Sequence, residues 1–189
     1  MLYGYLVGFG YMIVLLAVSE LLTRFTRIPK EIIRKILHLL IGFEYLVLYH
    51  FFGASWQIVV IPATFVVLNT LSYRLRFLKS IVRDQGEHAG IIYYAVSITA
   101  LSVVCACIPE FLYPFGVGVF CLSFGDCAAA LAGKYLRPRI RLLGNKTLWG
   151  FVFCFVFSFL SQLLLAWITQ HPLALGNMLL IALICAGCE

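Results

Sequence analysis

Phe124-Gly125-Asp126-Cys127-Ala128-Ala129-Ala130-Leu131-Ala132-Gly133-Lys134 sets a single carboxylate into an apolar run. The chain continues through Tyr135-Leu136-Arg137-Pro138-Arg139-Ile140-Arg141 to Gly144-Asn145-Lys146-Thr147-Leu148-Trp149-Gly150. Lys134, Arg137, Arg139, Arg141 and Lys146 therefore follow Asp126 closely, and a second apolar run opens at Lys146-Thr147. Runs that are apolar on every side are helices whose solvent is hydrocarbon. An acid inside such a helix is costly and marks a functional position. An acid able to take a divalent metal, a basic loop and a helix N-terminus together suit a phosphorylated ligand at a membrane surface.

Working outward, the whole chain has this character. Of its 189 residues, 63% are hydrophobic and only 12% charged. A water-soluble domain could not hide that much apolar surface, so the bilayer is the expected solvent. Seven apolar segments, each of roughly the twenty residues a bilayer requires, cover approximately 2–22, 33–52, 55–73, 90–108, 111–133, 147–169 and 173–188. The expected fold is an all-α, polytopic membrane bundle of about seven helices, a single domain over 1–189. The first segment lacks a basic flank and a small-residue cleavage site, so it reads as a retained helix.

Charge fixes the expected orientation. All fourteen Lys and Arg residues fall within Arg24–Lys35, Arg74–Arg83 and Lys134–Lys146, which are alternate loops. Cation-rich short loops stay cytoplasmic, so the N-terminus faces outward and the C-terminus inward. Topology and attraction to anionic lipid explain part of this basic face, and no nucleic-acid partner is implied. The seven cysteines all lie in apolar segments without zinc-ligand spacing and read as small hydrophobes.

The candidate residues cluster where charge meets the apolar runs. Glu20 and Arg24 are four apart and expected to pair. Arg34, Lys35 and His38 share one helical edge, and Gly42 lies a turn further on. Glu44 sits deeper, where a bare carboxylate is too costly; a substrate hydroxyl or a neutral interhelical hydrogen bond would satisfy it. Glu87 directly precedes the fourth apolar run and reads either as a helix-start anion or as a metal ligand. Gly125, Ala129 and Gly133 form a bare stripe suited to close helix packing, with Asp126, Ala130 and Lys134 on the neighbouring stripe. Asn145 is the expected cap of the next helix, whose open N–H groups would face a phosphate. Gly150 opens space one turn in. The Gly144–Thr147 stretch lacks the glycine before the lysine, the earlier glycine and the preceding strand of a P-loop, so that match is rejected.

Arg34-Lys35-x-x-His38-x-x-x-Gly42, Gly125-Asp126-x-x-Ala129-x-x-x-Gly133 and Lys146-Thr147-x-x-Gly150 together resemble three blocks of the CTP-dependent polyprenol kinase family. That family includes dolichol kinases, phytol kinases and CTP-dependent diacylglycerol kinases. Glu87-x-x-Gly90 resembles a fourth block, but Ile91 stands where the family usually has Ser or Thr. Family members also tend to continue past the last helix into an Asp-Asn segment, so the expectation is a chain lacking a C-terminal piece.

The resemblance implies a kinase that phosphorylates a lipid alcohol at the cytoplasmic face, with CTP as donor and Mg2+ as cofactor. It implies Asp126, Lys35 and His38 as catalytic residues, and Asp126 with Glu87 as metal ligands. Arg34, Gly125, Gly133, Lys134, Asn145, Lys146, Thr147 and Gly150 would bind nucleotide and phosphate. A CDP-lipid synthase is the alternative enzyme, and a transporter or scaffold the non-enzymatic alternative.

Overall fold

The computed structural model describes residues 1–75, 90–136, 140, 146–171 and 174–188. Among them every regular element is helical. The helices are α1 (Leu2–Phe25), α2 (Lys30–Gly42), α3 (Glu44–Phe51), α4 (Val60–Leu75), α5 (Gly90–Cys107), α6 (Leu112–Tyr135), α7 (Leu148–Thr169) and α8 (Leu175–Cys188). Short 3-10 turns, Trp56–Val59 and Pro109–Phe111, lead into α4 and α6.

Among the described residues, three stretches are long and apolar enough to cross a bilayer unaided: Leu2–Phe25, Pro109–Tyr135 and Leu148–Thr169. Trp56–Ser72, Ile92–Cys107 and Leu175–Cys188 are apolar but shorter. On α1, Leu6, Ile13, Val14, Val18 and Leu21 all point outward, and on α8 so do Leu179, Leu180, Leu183 and Ile184. Apolar surface of this extent needs a covering medium, and hydrocarbon supplies one.

The continuous helix expected over 33–52 is broken at Phe43. The local bonds show why. The Phe43 N–H donates back three residues to the Leu40 carbonyl, and the Leu46 N–H does the same to Phe43. Leu40 also accepts from the Tyr11 hydroxyl on α1 at 2.7 Å. A break inside an apolar medium is tolerated only where a neighbour takes up the freed backbone groups, and Tyr11 does so here.

The residues divide into two compact units, Met1–Phe115 and Gly116–Glu189. In the first, Ile33, Leu37, Tyr45, Leu48, Ile58, Ile61 and Phe65 are buried. Tyr45 ties the α3 side of this core to the start of α6 by donating to the Leu112 carbonyl at 2.8 Å. Gly4 and Gly8 of α1 are buried, four residues apart, and let the helix sit close to its neighbours. A Cβ at Gly8 would collide with Ile61 and lie 3.0 Å from the Glu44 carboxyl. The Glu20–Arg24 pair forms as expected, at 2.8 Å.

Glu44 is 6% exposed, and neither carboxyl oxygen has a hydrogen-bond partner among the described residues. The interhelical hydrogen bond considered for it is not made among the described residues. A buried polar group left unsatisfied costs about 1–3 kcal/mol. Glu44→Leu is therefore expected to raise the thermal midpoint of the purified protein in detergent. A lowered midpoint would show that the acid does structural work.

In the second unit, α7 buries Gly150, Cys154, Ser158, Ser161, Gln162 and Leu165 along one stripe. Gln162 donates to its own helix at Ser158 and across to the Met178 carbonyl on α8, at 3.2 and 3.1 Å. Ala129, Cys154 and Ala186 form a small shared core of α6, α7 and α8. The seven cysteines are free thiols; that of Cys121 donates to the Ser158 carbonyl at 3.6 Å.

Candidate functional site

Each unit carries part of the candidate set. In the first unit, α2 starts behind Pro29, whose missing N–H costs nothing there. Ile33 and Leu37 are buried inward, and this rotation leaves Arg34, Lys35 and His38 half-buried. The three remain one to four residues apart on the same helix, so the shared edge expected from their spacing is real. The His38 imidazole lies against the ring of Tyr94 on α5, with centroids 4.4 Å apart and planes tilted by 53°. The His38 Nε2 and the Tyr94 hydroxyl are both buried. Gly42 is buried at the end of α2. Tyr94 has no place in any of the sequence blocks, and no local signal could have linked it to a histidine 56 positions earlier.

In the second unit the bare stripe of α6 meets the start of α7. A Cβ on Gly125 would fall 2.5 Å from the Ser158 hydroxyl and 3.1 Å from the Cys154 sulfur. One on Gly133 would fall 2.8 Å from the Thr147 hydroxyl. One on Gly150 would meet the same hydroxyl at 3.2 Å and the Ala129 carbonyl at 3.4 Å. Partners descend along α7 as they rise along α6, so the two helices run antiparallel. Asp126 follows Gly125 directly and is half-buried, on the stripe beside this contact. Lys134 and Lys146 are exposed at the same end, the former with its Nζ 5.8 Å from the Tyr135 ring centre.

The cap of α7 corrects one expectation. Thr147, not Asn145, is the N-cap, and its hydroxyl oxygen accepts from the Gly150 N–H at 3.1 Å. Threonine fits because its side chain reaches the third amide of the helix it precedes. The Leu148 N–H is also taken, by the Ile140 carbonyl at 2.8 Å. Two of the first three amides are thus already bonded, and the expected row of open N–H groups is shorter than the sequence implied. The Thr147 O–H can still donate. Asn145 and Glu87 lie outside the described residues. The indole N–H of Trp149, two residues past the cap, is buried and has no partner among the described residues.

Thr147→Ala is expected to destabilise the second unit by about 1 kcal/mol, and Thr147→Ser to restore most of that. Thermal denaturation of both variants checks this. Equal midpoints for Ala and wild type would mean that the cap bond is dispensable.

Among the described residues no three His, Cys, Asp or Glu side chains stand close enough to form a metal cage. This is compatible with magnesium, which is usually held by one or two carboxylates and by the phosphates it accompanies.

These features define a class: an all-helical chain of apolar helices with cations near their ends, bearing a half-buried acid beside a glycine-lined contact. No protein-family model matches the chain, and neither does any solved structure. The chain is 30% identical over 135 residues to a phytol kinase of a Synechocystis species, a match covering 69% of this chain. It spans 56% of the length of that relative. The resemblance to the CTP-dependent polyprenol kinase family, carried in the sequence by three ordered blocks, is borne out by this likeness.

Proposed function

We propose that this protein is a kinase that transfers a phosphoryl group from CTP to the hydroxyl of a membrane lipid alcohol. The observation that carries the reading is the meeting of two blocks in one unit. Gly133 of the Gly-Asp block and Gly150 of the Lys-Thr block both close on Thr147. Residues distant in sequence thus build one shared corner, adjoined in sequence by Lys134 and Lys146, with Asp126 about two helical turns back along α6. The likeness to a phytol kinase supports the same reading.

In this proposal all seven apolar segments lie in the membrane, and the basic ends face the cytoplasm. Phosphoryl transfer asks little covalent chemistry of a protein; it asks for charge neutralisation and an aligned acceptor. Arg34, Lys35, Lys134 and Lys146 neutralise the triphosphate. The Thr147 O–H donates to a phosphate oxygen, while Gly125, Gly133 and Gly150 keep the backbone close enough for that contact. Asp126, together with Glu87, would hold Mg2+, which when bound offsets charge developing on the phosphates. The lipid alcohol enters from the bilayer with its hydroxyl at the membrane edge. His38 takes the hydroxyl proton as the oxygen bonds to phosphorus and CDP departs.

The deciding experiment incubates purified protein with gamma-labelled CTP and phytol, a polyprenol or diacylglycerol. Labelled lipid phosphate with CDP is the expected product. Pyrophosphate with a CDP-lipid would replace the proposal by a CDP-lipid synthase, and no labelling of any lipid would replace it by a transporter or scaffold.

A further inference from the structure

We infer that Tyr94 is a positioning residue for His38, holding the imidazole in place and stabilising the cation it becomes. The inference deepens the kinase reading and rests on it. The contact joins α2 to α5 within one unit, with ring centres 4.4 Å apart and a 53° tilt. Both rings are half-buried, so neither sweeps freely through solvent.

The chemistry gives the contact a purpose. When the lipid O–H bond breaks, its proton passes to the imidazole, its oxygen bonds to the γ-phosphorus, and the bridging bond to CDP breaks. His38 is then an imidazolium. Arg34 and Lys35 stand one turn back on the same helix and oppose that charge. An aromatic face within about 6 Å of a cation attracts it through the ring quadrupole. Tyr94 brings an aromatic ring within that distance from a different helix, its centre 4.4 Å from that of the imidazole. It also limits rotation of the imidazole, and small misplacements of a proton acceptor are costly in rate.

The test compares Tyr94→Phe with Tyr94→Leu. Tyr94→Leu is expected to lower kcat about tenfold with KM for CTP unchanged, because proton acceptance is touched and nucleotide binding is not. Tyr94→Phe keeps the ring and is expected to stay within about twofold of wild type. Loss of the ring also uncovers His38, so its carbethoxylation by diethyl pyrocarbonate, read on the His38 peptide by mass spectrometry, is expected to accelerate in Tyr94→Leu. If Tyr94→Leu does not fold, Tyr94→Met carries the same comparison. An unchanged kcat in the Leu variant would overturn the inference, as would an equal fall in both variants. The labelling separates the two layers of the argument. Faster His38 labelling in a chain that phosphorylates no lipid upholds the contact and refutes the kinase reading. Unchanged labelling refutes the contact itself.

Discussion

Asp126→Asn is expected to yield a folded, membrane-inserted protein that transfers no detectable label from CTP to lipid. The substitution keeps size and hydrogen-bonding shape and removes the charge. The packing around it rests on Gly125, Cys127, Ala128 and Ala129, which are buried and which the substitution leaves in place. What disappears is the group proposed to hold the metal at the phosphates. Removing one electrostatic contact to a reacting centre typically costs about a hundred- to a thousandfold in rate, and loss of a metal ligand belongs at the upper end. Size-exclusion profile and thermal midpoint should match wild type. Activity within about tenfold of wild type would remove the metal role from Asp126, since a lost ligand cannot be that cheap.

Gly125→Leu is expected to have the largest effect on folding. Even the first carbon of that side chain would lie 2.5 Å from the Ser158 hydroxyl and 3.1 Å from the Cys154 sulfur. The serine hydroxyl can rotate aside, but the rest of a leucine has nowhere to go without parting α6 from α7. Overpacking of this kind costs about 1–3 kcal/mol and at times more. The gap it opens would also pull Thr147 and Gly150 from Gly133, so activity should fall with stability. Gly118 is the internal control: it lies on the same helix, and a Cβ there meets nothing within 4 Å. Gly118→Leu should therefore be tolerated. Equal losses for the two variants would point to general helix damage and not to a contact at Gly125.

Much of this was legible beforehand, for reasons that differ from residue to residue. The Glu20–Arg24 pair was readable because four residues along a helix are neighbours whatever the rest of the chain does. The stripe Gly125-Ala129-Gly133 was readable as a packing surface because side-chain size and helical period are both local facts. Its partner was not. Which of Thr147, Cys154 and Ser158 meets which glycine depends on the register of α7 against α6, and register is a property of the pair. Gly4 and Gly8 carried the same four-residue signal and were passed over, though that one could have been found. The α7 cap went to Thr147 and not to Asn145 because the helix begins two residues later than a cap at Asn145 would place it, and either side chain would serve.

The apolar runs, the three cationic clusters and the misplaced acids determined the helical class, the affinity for a bilayer and the residues worth suspecting. Each follows from transfer free energy, which acts on one side chain at a time and so can be added up along a chain. Tertiary structure alone decided the break at Phe43, the closure of two glycines on Thr147, the seating of Tyr94 on His38 and the isolation of Glu44. Tyr11 reaches Leu40 across 29 positions, and Tyr94 reaches His38 across 56. Contacts of that kind exist only once the helices have chosen their neighbours, because sequence distance says nothing of which faces will touch.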